Sequence, residues 1–178
     1  MKITKQIQAF LIRISILPFK KREIISFKEH FTNANRVVVL LPETRNDPAI
    51  QEGMDELIDT LKGKELILVS SGEQTMNESQ KGIKQVNLKL NKLNLWTFSL
   101  SENLKKIVGD SSDIFIDLND PPHLLGIYIS RKINTPVCVC MTSAPYAASF
   151  NLIYNHSNTS SYSDKLNGFV IFIKQLIN

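Results

Sequence analysis

The sequence is short of the features that mark specialised chains. It has two cysteines in 178 residues, Cys138 and Cys140, spaced so that a strand would place both on one face, where a mutual bridge would be severely strained. No CxxC pair or neighbouring Cys/His set accompanies them. That excludes a zinc ribbon, a thioredoxin-like redox motif and a disulfide scaffold, and leaves two buried thiols in a reducing compartment as the expectation. Seven glycines and seven prolines exclude collagen-like and low-complexity chains. No apolar stretch approaches the ~20 residues of a membrane span. Three chemical signatures are missing as well: GxGxxG after the first strand, GxxxxGK[ST] anywhere, and the nucleophile elbow GxSxG. No cofactor and no metal are therefore expected.

What is present is the composition of one globular domain, 43% apolar and 21% charged, long enough to bury a core without staples. The positive charge is unevenly placed. Up to His30 there are seven basic residues (Lys2, Lys5, Arg13, Lys20, Lys21, Arg22, Lys28) against Glu23 and Glu29, while the whole chain carries a net +4, so the body is close to neutral. A nucleic-acid reader would carry its basic patch on the folded domain, and no nucleic-acid partner is expected.

Residues 9–17 (AFLIRISIL) behind Lys2 and Lys5 have the outline of a signal peptide. Arg13 interrupts them and no small-x-small cleavage site follows, so secretion is not expected. At helical spacing, Ile3, Ile7, Phe10, Ile14 and Leu17 form an apolar stripe, widened by Leu11, Ile12 and Ile16, up to Pro18. Six basic residues and no acidic one lie from Lys2 to Arg22, the pattern of a helix lying on an anionic bilayer surface. The same stripe also suits packing on the protein's own domain or on a second copy. Residues 1–31 are thus expected to be a basic amphipathic helical segment, with a second short helix near Glu23 to Phe31.

The body, residues 36–178, alternates strand and helix patterns. Arg36 to Leu41, Glu65 to Ser70, Ser112 to Asp117 and Pro136 to Met141 are short and apolar throughout, as strands buried on both faces are. Further strands are expected at Asn94–Phe98 and from Phe150 to Tyr154. Gly72 to Lys92 is polar and reads as a loop with at most one short helix. Helices are expected after Pro48, with Asp47 as N-cap and Gly63 as the stop, at Ser101–Val108, after Asn119-Asp120-Pro121-Pro122 with Asp120 as cap, and from Ser163 to Ile177. Strands apolar on both faces need helices on both faces. The expected fold is α/β, a single Rossmann-like, mostly parallel open sheet.

Ligands in such sheets sit beyond the C-terminal ends of the strands, near the switch point. The residues there are Glu43, Asn46, Asp47, Ser71, Glu73, Asp117, Asn119, Asp120, His123, Thr142 and Ser143. His123 suits a base, a hydrogen-bond donor or a plain cap partner at a helix start. Asp117 suits a substrate hydroxyl or loop amides. A small independent enzyme using Asp117 and His123 is one reading of that set. His156 reads as loop.

Two stretches, Arg36-VVVLL-PETRND-PA and Asp113-IFIDLN-DPPHLLGIYISRKINTPVCVCM, resemble the N-terminal domain of the ADP-heptose lipopolysaccharide heptosyltransferases, glycosyltransferase family nine. The resemblance covers about residues 36–141, and its better half is the family's D-x-x-I-D-L strand. Asn46-Asp47 falls on the family's Gly-Asp, which implies that Asp47 occupies the position of the catalytic base, with Glu43, Asn46, Ser71, Asp117, Asn119, Asp120 and His123 as ligand-binding candidates. Pro48 and the lost glycines depart from the pattern, as does PVCVCM where the family reads R-I-G-F. The family's transferases use two Rossmann-like domains, the second holding most of the sugar nucleotide. The resemblance therefore implies a half-length acceptor-binding or accessory module of cell-envelope glycan synthesis, not expected to transfer sugar alone. Its expected setting is the cytoplasmic face of the inner membrane, held peripherally through residues 2–22, with a separate donor-binding chain or a homodimer as partner. The alternative is a non-catalytic scaffold that dimerises or docks a partner through the N-terminal helix.

Overall fold

A computed structural model describes residues 26–43, 47–70, 83–87, 111–122, 124–141, 149–156 and 160–178. The amphipathic stripe over residues 3–17, the strand expected at Asn94–Phe98 and the helix expected at Ser101–Val108 lie outside them. In chain order the elements are α1 (Phe27–Asn33), β1 (Arg36–Leu40), α2 (Pro48–Thr60), β2 (Glu65–Ser70), β3 (Ile83–Asn87), β4 (Ile114–Asp117), α3 (Leu124–Lys132), β5 (Val137–Cys140), β6 (Leu152–Ile153) and α4 (Tyr162–Ile177). The strands form one sheet in the order β3-β2-β1-β4-β5-β6. All five neighbouring pairs are parallel, as the doubly apolar strands require.

Side-chain alternation along each strand divides the core into two layers. Val37, Val39, Ile114, Ile116, Val137 and Val139 face α1, α2 and α4 and join Phe31, Met54, Leu57, Leu166, Phe169 and Ile173. Val38, Leu40, Phe115, Cys138 and Cys140 face α3 and pack with Leu125, Ile127, Ile129 and Phe150. Both thiols are buried on one face, and neither is in a disulfide, as their spacing implies. Burying one such aliphatic or aromatic side chain contributes about 1.5–3 kcal/mol, so the central strands hold much of the fold.

Helix ends follow the local chemistry. Asp47 caps α2 by accepting from the Ala49 amide at 2.9 Å, with Pro48 in the first turn. Gly63 takes φ +95° in the turn before β2, a left-handed conformation that glycine adopts without strain. Helix α4 opens with a capping box between Ser161 and Asp164 and lies against α2, where Gly53 abuts Leu166 and Asn167. Helix α1 packs on the end of α4, where Thr32 Oγ1, which donates to the Lys28 carbonyl at 2.9 Å, also lies 3.4 Å from the Ile177 carbonyl.

One expectation fails outright. Residues 72–92 read as loop, yet Ile83–Asn87 is a strand, paired with β2 from Leu66 to Ser70. Its residues are half-buried or exposed, because it is the outermost described strand on that side, and an edge strand keeps the polar Lys84 and Gln85 without cost. The helix expected near Glu23 to Phe31 runs instead to Asn33, with Ser26 as N-cap.

At the N-terminal end of the sheet, Asp113 Oδ2 accepts from the amides of Asn35 (2.7 Å) and Arg36 (3.0 Å). Lys64 Nζ donates to the carbonyls of Thr32 (3.2 Å) and Ala34 (2.9 Å). Burial lowers the Lys64 pKa from its ordinary 10.5, with Asp113 partly offsetting the shift. Burial against the sheet raises that of Tyr128 from 10.0. The signs oppose. Tyr128 contributes stability that is complete below pH 10 and lost as pH rises through its raised folded value, whereas Lys64 makes the fold more stable as pH climbs towards 10.5, because the unfolded chain holds that proton more tightly. Urea titrations from pH 8.5 to 11 should therefore show a shallower alkaline loss in Tyr128→Phe and a steeper one in Lys64→Met; parallel curves for all three proteins would contradict this assignment.

Candidate functional site

Strand order reverses between β1 and β4, whose neighbours on the other sides are β2 and β5. Crevices in open parallel sheets form at that point, above the C-terminal ends of the strands. Two exits meet there: Leu41-Pro42-Glu43 from β1 and Leu118-Asn119-Asp120 from β4. They are laced together by Leu118 N donating to the Leu40 carbonyl (3.0 Å) and by Asn119 Nδ2 donating to the Leu41 carbonyl (3.3 Å).

Asp117 ends β4 and is fully buried. Its register partners are Leu40 and Cys140, so its side chain shares their face, towards α3. Oδ1 accepts from Asn119 N (2.9 Å) and Asn119 Nδ2 (2.8 Å), a closed turn in which a carboxylate holds its own loop. Oδ2 lies against the first turn of α3, where a Cβ at Gly126 would overlap it and come within 3.1 Å of Leu40 Cδ2. A helix start is favourable ground for a carboxylate, since amides there lack intrahelical partners. Of the two roles that its position allows, the described contacts are those of a loop anchor.

Asp120 departs from its expected role. The helix opens at Leu124, four residues later, so Asp120 does not stand at the cap position. Its Oδ2 instead accepts from Lys165 Nζ at 2.6 Å, with both side chains only 15% exposed. One residue before Asn119, the Leu118 carbonyl accepts from Tyr162 Oη at 2.6 Å. Tyr162 and Lys165, both from the first turn of α4, were invisible to local sequence patterns, as was the need for glycine at 126. Partners 44 and 45 residues away leave no periodicity to read.

Of the remaining candidates, Glu43 and Asp47 are exposed on the β1 side, and Asp47 has the capping contact described above. Asn46, Ser71, Glu73, His123, Thr142 and Ser143 lie outside the described residues. Asp117, Asn119 and Asp120 are thus brought to one rim beside the β1 exit, with Asp117 buried beneath it. Among the described residues no three His, Cys, Asp or Glu side chains are grouped to hold a metal, and no helix is long and apolar enough to cross a membrane.

This architecture has a solved counterpart. The E. coli heptosyltransferase WaaC with ADP-2-deoxy-2-fluoro heptose matches with a TM-score of 0.52 at 11% identity, over 77% of this chain and 47% of that one. At such identity the likeness establishes the fold: a Rossmann-like sheet of the heptosyltransferase kind, spanning about half the length of that transferase. No family model and no curated protein matches the sequence.

The packing at Gly126 makes a direct prediction. Gly126→Ala would force apart the Asp117 carboxylate and α3, and should destabilise the protein by about 3 kcal/mol, the upper end of what overpacking costs, despite alanine's better helix propensity. Urea unfolding measures it; a neutral or stabilising result would mean that α3 does not rest on Asp117.

Proposed function

We propose that this chain is a heptosyltransferase-like acceptor-binding module of cell-envelope glycan synthesis, which presents the β1/β4 rim to a saccharide and does not transfer sugar by itself. The observation that carries the reading is the sheet, which superposes on a heptosyltransferase over 77% of this chain while spanning 47% of that enzyme. A transferase needs a site for its sugar nucleotide as well as one for its acceptor. In the family that the sequence resembles, the second domain supplies most of the former, so this reading calls for a donor-binding domain beyond these 178 residues, with a separate chain as the proposed partner. Asp47 is the residue assigned to the acceptor hydroxyl, as the group that takes its proton when a complete site is assembled. Its place at the mouth of the β1–α2 connection supports that role, and its side chain is exposed.

Binding by the isolated chain tests the proposal. A deacylated lipopolysaccharide inner-core oligosaccharide should bind with a Kd of about 1 mM or tighter, whereas ADP-2-deoxy-2-fluoro heptose should not bind without a second chain. Asn caps a helix as well as Asp does, so Asp47→Asn should leave stability within about 0.5 kcal/mol and weaken oligosaccharide binding if Asp47 meets the ligand. Binding of the nucleotide sugar in preference to the oligosaccharide would reverse the assignment.

Residues 2–22 are proposed to hold the module on an anionic bilayer. Six basic side chains, at about 1 kcal/mol each near such a surface, support the attachment together with the apolar stripe. Deleting residues 1–22 should abolish cosedimentation with vesicles containing anionic phospholipid, and salt should weaken the binding of the full chain. If truncation changes the assembly state and leaves lipid affinity untouched, the scaffold reading replaces the membrane one.

A further inference from the structure

Two contacts on the rim come from the far end of the chain, and nothing in the resemblance accounts for them. The first turn of α4 places Tyr162 Oη on the Leu118 carbonyl and Lys165 Nζ on Asp120 Oδ2, each at 2.6 Å. Between those two attachment points lies Asn119, the residue that closes the turn on Asp117 and reaches across to Leu41. The ion pair is largely shielded from solvent, where charge-assisted hydrogen bonds are stronger than at an open surface. Helix α4 is itself fixed below the rim: Leu166, Phe169, Val170 and Ile173 are buried in the core, Gly53 of α2 abuts it, and Ser161 with Asp164 caps its start. A helix held along its length and bonded to a loop on both sides of one residue is a rigid bracket.

We infer that Tyr162 and Lys165 are positioning residues of the candidate site: through them α4 sets where Leu118, Asn119 and Asp120 stand at the mouth of the crevice. Asp120 then serves the rim as the fixed end of a bridge, and its pairing with Lys165 leaves Asn119 as the polar side chain whose placement the bracket governs. The inference deepens the acceptor-binding reading and rests on it for its link to a ligand, while the bracket itself can be measured in the free protein.

Native-state amide exchange of the full chain, followed by NMR, is the test. Lys165→Met should speed exchange at the Leu118, Asn119 and Asp120 amides at least about ten-fold, the factor expected when one charge-assisted hydrogen bond is lost. Exchange at Val38 and Phe115 should stay unchanged. Lys165→Arg should restore protection, and Lys165→Met added to Asp120→Ala should give no further acceleration, since both remove the same bond. Tyr162→Phe, which deletes only a hydroxyl, should act on the same amides by itself. Unchanged exchange at residues 118–120, or acceleration spread equally over β1 and β4 in both Lys165→Met and Tyr162→Phe, would overturn the inference. Oligosaccharide titration separates the two levels: a wild-type chain that ignores the inner-core oligosaccharide removes the acceptor reading and leaves the bracket to the exchange data. A wild-type chain that binds it should lose affinity in Lys165→Met and recover it in Lys165→Arg.

Discussion

Everything in this molecule depends on a sheet whose central strands are apolar on both faces. Val37 through Leu40, Ile114 through Ile116 and Val137 through Cys140 are all buried, so neither side of β1, β4 or β5 can face water. Parallel strands satisfy their backbone groups only with neighbours and can be joined only by crossovers; α2 and α3 are such crossovers, and α1 before β1 and α4 after β6 add to the cover. Helices α1, α2 and α4 close one face, and α3 covers the other. With both faces closed, polar side chains have to emerge at the strand ends. The place where chemistry can occur is thus fixed by where hydrophobic side chains forbid it.

The two ends of the sheet solve the same problem in different ways. At the N-terminal end, Asp113 gathers two amides and Lys64 gathers two carbonyls, which completes the hydrogen bonding of the α1–β1 turn. At the C-terminal end, Asp117 is buried under the rim and tied into its own loop, and the bond from Asn119 to Leu41 spans the switch point. A buried carboxylate is costly unless hydrogen-bond donors reach it, and Asn119 supplies two such bonds to Oδ1. Through those bonds Asp117 holds the rim loop, while its Oδ2 packs against Gly126 of α3.

Much of the architecture was legible because each clue was local. Four doubly apolar runs gave four strands of a parallel sheet, Asp47-Pro48 gave the start of α2, and the two cysteines two residues apart gave a pair of buried thiols on one face. The failures have one cause: the deciding partner was distant in sequence. Ile83–Asn87 looks like a loop because among the described residues only β2 pairs with it, and its exposed Lys84 and Gln85 carry no apolar signal. Asp120 looks like a helix cap because an acidic residue before two prolines usually is one, and only the fold brings Lys165 to it. The same holds for Tyr162, whose hydroxyl finds a carbonyl 44 residues upstream. The candidate site was therefore readable as a location, and its connections were not.

Those connections decide how firmly the rim is held. Here the last helix supplies the brace: it is buried along one side by Leu166, Phe169, Val170 and Ile173, and its first turn bonds to the loop that leaves β4. Order at a surface lowers the entropy lost when a ligand settles there, and α4 supplies that order to the loop that leaves β4.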